Sequence, residues 1–386
     1  MKVIMNRTKK IIIAIVVTVL LVVSLIGFFV WYNFFDVTGL ELYSDQPISN
    51  FFSAEMRVYL LTEEGYGYVA GGYLYGDTRE YLNSENVHNS YLNGASPVKF
   101  YNGKIKQIID EEHCTMFITE KNELFELNRD LSSDYIASDV VNACGTENGE
   151  IYYITSDNSL YKKDSSNEIN FVKENIKKVK CYKEFVYVLS CDNVLYRYEK
   201  GNKDQLINQE RLLESVKTFE VVDTSERLID GKYIDDNEQA LSLPLINVLT
   251  GDGNVYVRGA YNVLSCGHRG ALPPAPPMVY EEWTLIGTEI KQFSLAPMGT
   301  IMLKSNGTVI YYGFDSDLTY KSRFGERTLN VPSCELVGIA KMCIWAKDKN
   351  GTFYFWGEKM RTPFFYPDES DHSIMYGTPF QLFPKE

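Results

Sequence analysis

The chain has 386 residues, 45% hydrophobic and 23% charged, with 28 Tyr, 21 Phe, 27 Gly and 13 Pro. That much apolar side chain excludes a disordered chain, and so few Gly and Pro exclude collagen-like and low-complexity architectures. Tyr and Phe favour strands, and a net charge of −13 speaks against sequence-independent nucleic-acid binding, which draws on Lys and Arg.

In chain order, residues 1–10 form a basic tail carrying Lys2, Arg7, Lys9 and Lys10 and no acid. Residues 11–35 read IIIAIVVTVLLVVSLIGFFVWYNFF, 25 residues without a charge. At 1.5 Å per residue that length spans a hydrocarbon core of about 30 Å as a tilted helix. The bias of positive charge predicts a cytoplasmic N-terminus and a single pass through the plasma membrane. Trp31 and Tyr32 fall where an outer aromatic belt belongs. The apolar run is too long for a cleaved signal peptide and no A-x-A site follows it, so the expectation is an uncleaved signal-anchor. Residues 36–47 read as a linker and 48–386 as the ectodomain. Removing four basic residues from the total of 38 leaves 34 against 51 acids, an ectodomain charge of −17.

The ectodomain contains a repeat with a fixed phase. Seven segments align without gaps: RVYLLTEEGYGYVAGG from Arg57, CTMFITEKNELFELN from Cys114, EIYYITSDNSLYKKD from Glu150, FVYVLSCDNVLYRYE from Phe185, LINVLTGDGNVYVRG from Leu245, GTIMLKSNGTVIYYG from Gly299 and CIWAKDKNGTFYFWG from Cys343. Their common turn position holds Gly65, Asn122, Asn158, Asn193, Gly253, Gly307 and Gly351. Only residues that tolerate positive φ occur there, which predicts two-residue hairpins. Three positions later stands Tyr68, Phe125, Tyr161, Tyr196, Tyr256, Ile310 or Tyr354. Four positions earlier stands Leu61, Ile118, Ile154, Leu189, Leu249 or Leu303, with Lys347 as the exception. Constant phase on both flanks predicts paired strands, each with one buried face. The mean unit of about 50 residues matches β-propeller blades.

Short strands precede several hairpins: IKQI from Ile105, IKKV from Ile176, VKTF from Val216 and IKQF from Ile290. A Pro-led strand stands before one of them in SPVKFYNGKIKQI from Ser96, which suggests that each unit opens on its outer strand. The C-terminal GTPFQLFPKE, with no hairpin after it, then reads as the outer strand that closes blade 1. Leu40–Tyr43 is a competing closure.

The order TP-x-x-V, I-K-x-I, strand, S-D-G-T-V-Y-x-W-G resembles the repeat of the regulator of chromosome condensation family. IKQFSLAPMGTIMLKSNGTVIYYG from Ile290 carries the likeness most fully and CIWAKDKNGTFYFWGEK from Cys343 next. The resemblance spans residues 48–386 and implies an all-β, seven-bladed propeller that grips another protein. The chain reads as a divergent, membrane-anchored, bacterial-type member. The family's small Ala-Ala-Gly run and following His are mostly absent, and its closing Gly survives as Gly71, Gly259, Gly313 and Gly357.

Chemistry-bearing motifs are scarce. His88, His113, His268 and His372 lack metal-ligand spacing, and none of the seven Cys forms a CxxC, so no metal is expected. Cys181 and Cys191 are the favoured disulfide pair. No P-loop, nucleophile elbow or GxGxxG occurs, and the pairs Glu111–Glu112 and Glu281–Glu282 would point to opposite faces of a strand. The expectation is a non-enzymatic binding protein, without cofactor or nucleic acid, whose partner is a protein outside the cytoplasm. The alternative is a cell-wall or carbohydrate-binding propeller, possibly a hydrolase. Three insertions interrupt the repeat: residues 72–95, 223–244 and 266–283. Tyr73, Tyr75, Tyr81, Tyr280 and Trp283 are the expected partner-binding rim, because aromatic anchors in loops over a rigid scaffold dominate protein interfaces.

Overall fold

The computed structural model describes residues 48–54, 57–70, 98–111, 114–128, 131–146, 148–201, 205–222, 244–261, 278–314, 324–340, 343–357 and 380–382. They form seven four-stranded antiparallel sheets. Blade 1 is β1 (Ile48–Ala54), β2 (Arg57–Thr62), β3 (Gly67–Ala70) and β4 (Val98–Lys99). Blade 2 is β5 (Ile105–Glu111), β6 (Cys114–Thr119), β7 (Leu124–Leu127) and β8 (Ser133–Ala137). Blade 3 is β9 (Val140–Gly145), β10 (Ile151–Thr155), β11 (Leu160–Lys163) and β12 (Ile169–Lys173). Blade 4 is β13 (Ile176–Tyr182), β14 (Phe185–Ser190), β15 (Leu195–Lys200) and β16 (Leu206–Leu213). Blade 5 is β17 (Val216–Val222), β18 (Leu245–Thr250), β19 (Val255–Tyr261) and β20 (Met278–Gly287). Blade 6 is β21 (Ile290–Ala296), β22 (Gly299–Lys304), β23 (Val309–Phe314) and β24 (Phe324–Thr328). Blade 7 is β25 (Cys334–Ala340), β26 (Cys343–Asp348), β27 (Phe353–Gly357) and β28 (Phe380–Leu382).

The first strand of each blade meets the first strand of the next, and β25 meets β1, so the seven inner strands close a ring. The repeat phase explains why the blades stack. Five positions before the turn residue, Phe117, Tyr153, Val188, Val248, Met302 and Ala346 all bury against the preceding blade. One position to either side, Met116, Ile154, Leu189, Leu249 and Leu303 bury against the following blade. Period-2 alternation thus lets one strand face the seams on both sides of its blade.

Two expectations need correction. The hairpin loops contain three residues, not two. Gly65 N–H donates to the Thr62 carbonyl (2.9 Å) and Thr62 N–H to that of Tyr66 (3.0 Å), with φ +87° at Gly65. The same bond recurs at Asn122, Asn158, Asn193, Gly253, Gly307 and Gly351. This is a type I turn followed by one left-handed residue, which is why Gly or Asn stands at one position and almost anything before it. The turn residue also latches the ring. Its carbonyl accepts the first N–H of the next inner strand: Ile105 from Gly65 (2.7 Å), Val140 from Asn122 (2.7 Å), and likewise Ile176, Val216, Ile290 and Cys334.

The second correction concerns closure. Each blade is four consecutive strands, so Val98–Lys99 of the SPVKF segment supplies the outer strand of blade 1, not the opening of blade 2. The C-terminal β28 pairs with β27 inside blade 7, Tyr354 opposite Gln381, and does not cross to blade 1. The ring closes through side chains. Phe51 of blade 1 meets Trp345 and Phe353 of blade 7 edge-on, at 6.1 and 4.7 Å between centroids.

Connections alternate between two faces. Links from first to second and from third to fourth strands emerge on one, which we call the insertion face; the three-residue turns and the links between blades lie on the other, the turn face. Residues 71–97, 223–243, 262–277, 315–323 and 358–379 all join strand ends on the insertion face. The anchor expected at 11–35 and the linker after it lie outside the described residues. Among the described residues no helix is long and apolar enough to cross a membrane.

Candidate functional site

Two places merit inspection: the rim on the insertion face and the wall of the central channel. Tyr73, Tyr75 and Tyr81 lie outside the described residues. Tyr280 and Trp283 belong to β20, so the third insertion ends at residue 277 and MVYEEW is strand. An odd spacing along that strand turns the two rings to opposite sides of blade 5. Tyr280 packs at the seam with blade 6, its hydroxyl 2.7 Å from that of Tyr312 and its ring 6.3 Å from Tyr261. Burial and the neighbouring Tyr312 hydroxyl hold the Tyr280 hydroxyl above the usual phenol range. Trp283 packs at the seam with blade 4, and its Nε1–H donates to the Leu212 carbonyl (3.2 Å). Both aromatics are half-buried, and the structure does not bring them together.

The channel wall is built from the inner strands, which the turn latches hold in one register. The third residue of each is Asn50, Gln107, Asn142, Lys178, Thr218, Gln292 or Leu336, all half-buried. Polar residues here join blade to blade. Val179 N–H donates to Asn142 Oδ1 (2.9 Å), and Gln292 Nε2 donates to the Val337 carbonyl (3.0 Å). Two places further along, Ser294 Oγ accepts the Ile339 N–H (3.1 Å).

At the seam of blades 4 and 5 the wall carries an ionic cluster. Lys178 Nζ stands 2.7 Å from Glu220 Oε1 and 2.9 Å from Thr218 Oγ1, and Lys180 Nζ stands 3.4 Å from Glu220 Oε2. Burial alone would raise the Glu220 carboxyl, but the two lysines outweigh it and hold it at about 2. An acid so firmly ionised cannot donate a proton near neutrality. The cluster offers one carboxylate between two ammonium groups, whereas glycoside hydrolysis uses two carboxylates.

Sequence reading missed a set of exposed aromatics. Cross-strand aromatic rows, stacked at the inner pair and edge-on at the outer, run outward as Phe117–Phe125–Tyr135 in blade 2 and Tyr153–Tyr161–Phe171 in blade 3, and Tyr135 and Phe171 are each 57% exposed. The same position holds Lys99, Arg211 and Thr328 in blades 1, 4 and 6. Phe171 also lines an open groove of about 440 Å³ between β12 and blade 4, with Lys173, Tyr198 and Gln205. Alignment of the outer strands would have shown the substitution, but variable links before those strands hide their phase.

No family model matches the chain, and neither does any curated protein sequence. Among solved structures, yeast RCC1 (Prp20), crystallised bound to Kap60, is similar at 15% identity and a TM-score of 0.45, covering 87% of this chain and 75% of that one. Human WBSCR16 is similar at 11% identity and a TM-score of 0.44, covering 88% and 82%. The computationally designed protein Ika8 is similar at 8% identity and a TM-score of 0.43, covering 81% and 84%.

Proposed function

We propose that the protein is a membrane-anchored, extracytoplasmic propeller that binds a protein partner through its insertion face. The observation that carries this reading is the asymmetry of the ring. Every long link joins strand ends on one face, while the other face is limited to three-residue turns and short inter-blade links. Long loops cost little closure entropy and stand where a rigid scaffold can present them. The charge-free run at 11–35 with cations only before it supports the anchor and the outward orientation. Residues 223–243 carry Asp223, Glu226, Asp230, Asp235, Asp236 and Glu238 against Arg227 and Lys232, so a basic or neutral partner fits best.

The test is crosslinking in native membranes with the full chain, a variant in which residues 71–97 become a short Gly-Ser link, and a Tyr73/Tyr81→Ala variant. The expected result is a protein partner captured by the full chain and lost with the shortened link, at unchanged melting temperature. Equal capture by all three would discard the insertion face. Capture of glycan in place of protein would favour the carbohydrate-binding alternative. Protease added to intact cells with permeable walls should digest the propeller, and full protection would overturn the topology.

A further inference from the structure

We propose that Cys144 and Cys181 form a disulfide that staples blade 3 to blade 4 at the channel wall. Two observations converge on the pair. The first is proximity: Cys144 and Cys181 are both thiols in the structure, and their sulfurs lie 2.6 Å apart. The second is register. Counting from the residues the turn latches fix, Cys144 is fifth on β9 and Cys181 sixth on β13. Where blades 6 and 7 meet, the fifth residue Ser294 reaches the sixth residue Ile339. Third residues likewise reach fourth ones, as Asn142 does Val179 and Gln292 does Val337. At these two seams a third- or fifth-position side chain is aimed at the backbone of the next position on the neighbouring inner strand. At blades 3 and 4 both positions hold cysteine.

Two other cysteine sulfurs lie in these blades or beside them. Cys114 Sγ comes from blade 2 and packs over Gly145, where an added Cβ would meet it. Cys191 is an exposed thiol on the turn face, so the expected Cys181–Cys191 bridge is not formed.

Formation requires a two-electron oxidant, here a small disulfide such as oxidised glutathione. Cys181, half-buried, is the accessible member, while Cys144 is buried. The Cys181 thiolate attacks one sulfur of the small disulfide, whose S–S bond breaks and expels one thiolate. The Cys144 thiolate then attacks Cys181 Sγ, breaking the mixed disulfide and expelling the second thiolate. Two protein thiols are oxidised, one disulfide is reduced to two thiols, and the cysteine protons pass to the expelled thiolates. An extracytoplasmic location would supply such conditions, but the inference rests on the seam geometry alone.

The experiment uses the full-length protein in detergent, reduced, then held in oxidised glutathione, quenched with N-ethylmaleimide under denaturing conditions and digested without reductant. Mass spectrometry should recover a peptide linking Cys144 to Cys181, with Cys191 outside it. Recovery of both Cys144 and Cys181 as alkylated or glutathionylated thiols, or a Cys181–Cys191 link, would overturn the proposal. A stability readout adds to it. The bridge would close a loop of 37 residues, so reductant should lower the wild-type melting temperature by about 5 °C. Cys181→Ser should show no such response; an equal response in both proteins counts against the bridge. Both readouts are made in vitro and are independent of the proposed topology.

Discussion

The seam between blades 6 and 7 and the seam between blades 7 and 1 solve the same packing problem differently. The first is an apolar wall in which Ile301, Leu303 and Tyr311 meet Val337, Ile344 and Ala346. At the second, the position of Leu303 is taken by Lys347, and its side chain is only 8% exposed. Its Nζ lies 3.2 Å from Glu63 Oε1 of blade 1 and 3.9 Å from Glu335 Oε1, and stands over the Phe353 ring at 5.6 Å. The residue that breaks the sequence pattern is therefore the one that meets the first blade. Six seams join neighbours that the chain already holds close. The seventh must bring together residues 284 apart, and there a charge pair and an aromatic trio stand at the seam. The difference teaches that a repeat-breaking residue can mark the ends of a ring without marking a binding site.

The largest expected effect comes from making the regular seam imitate the closing one. In blade 7 the counterpart of Glu63 is Lys349, so a lysine placed at 303 would face a like charge. Leu303→Lys should cost on the order of 4 kcal/mol or abolish folding, as a buried charge without a partner does. Chemical denaturation, or soluble yield if the variant fails to fold, checks this; a loss under about 1 kcal/mol would mean that the seam admits water. Next is Phe51→Ala, which removes the ring between Trp345 and Phe353 and should cost about 3 kcal/mol. If it costs no more than an exposed substitution, closure does not depend on this aromatic trio. Smaller still is Lys347→Met, which restores the pattern. The lysine is buried but its partner Glu63 is half exposed and keeps its water when the lysine is replaced by an apolar chain, so the shift should stay within about 1 kcal/mol. A severe loss would show that the Lys347–Glu63 pair is required for closure.

The hairpins were legible because two local constraints coincide at each: one left-handed residue and period-2 burial around it. Loop length was misread because the sequence shows where Gly or Asn is needed, not how many residues flank it. Strand allocation was misread for a different reason. Residues 71–97 separate β4 from its own hairpin, while only residues 100–104 separate it from the next inner strand, so proximity in sequence pointed to the wrong blade. For the candidate rim, Tyr280 and Trp283 looked like loop residues because Glu281 and Glu282 interrupt the alternation of β20, whose register with β19 is irregular there. Aligning VVNACG from Val140 with IKKVKCY from Ile176 places the two cysteines at the fifth and sixth positions of neighbouring inner strands, which is as far as the sequence reaches. What could not be read was which row of an inner strand meets its neighbour.

The smallest expected effect concerns charge at the seam of blades 4 and 5, where Lys178 is more exposed than Lys347. Glu220 is about a third exposed, and Lys178 and Lys180 hold its carboxyl at about 2, below the usual carboxylate range. A folded-state value below the unfolded one gives stability that is present above about pH 5 and is lost as pH falls towards 2. Solvent screening keeps the contribution near 1 kcal/mol. Glu220→Gln should therefore melt below wild type at pH 7, because it leaves two lysines facing a neutral amide, and the gap should narrow steadily as both proteins are taken to pH 3. Melting curves at several pH values decide it. A gap that stays constant over that range would mean that the variant disturbs packing at the seam and that the ion pairs add nothing to it. A gap that narrows with acid but vanishes at neutral pH in 1 M salt would place the cluster among screened surface pairs.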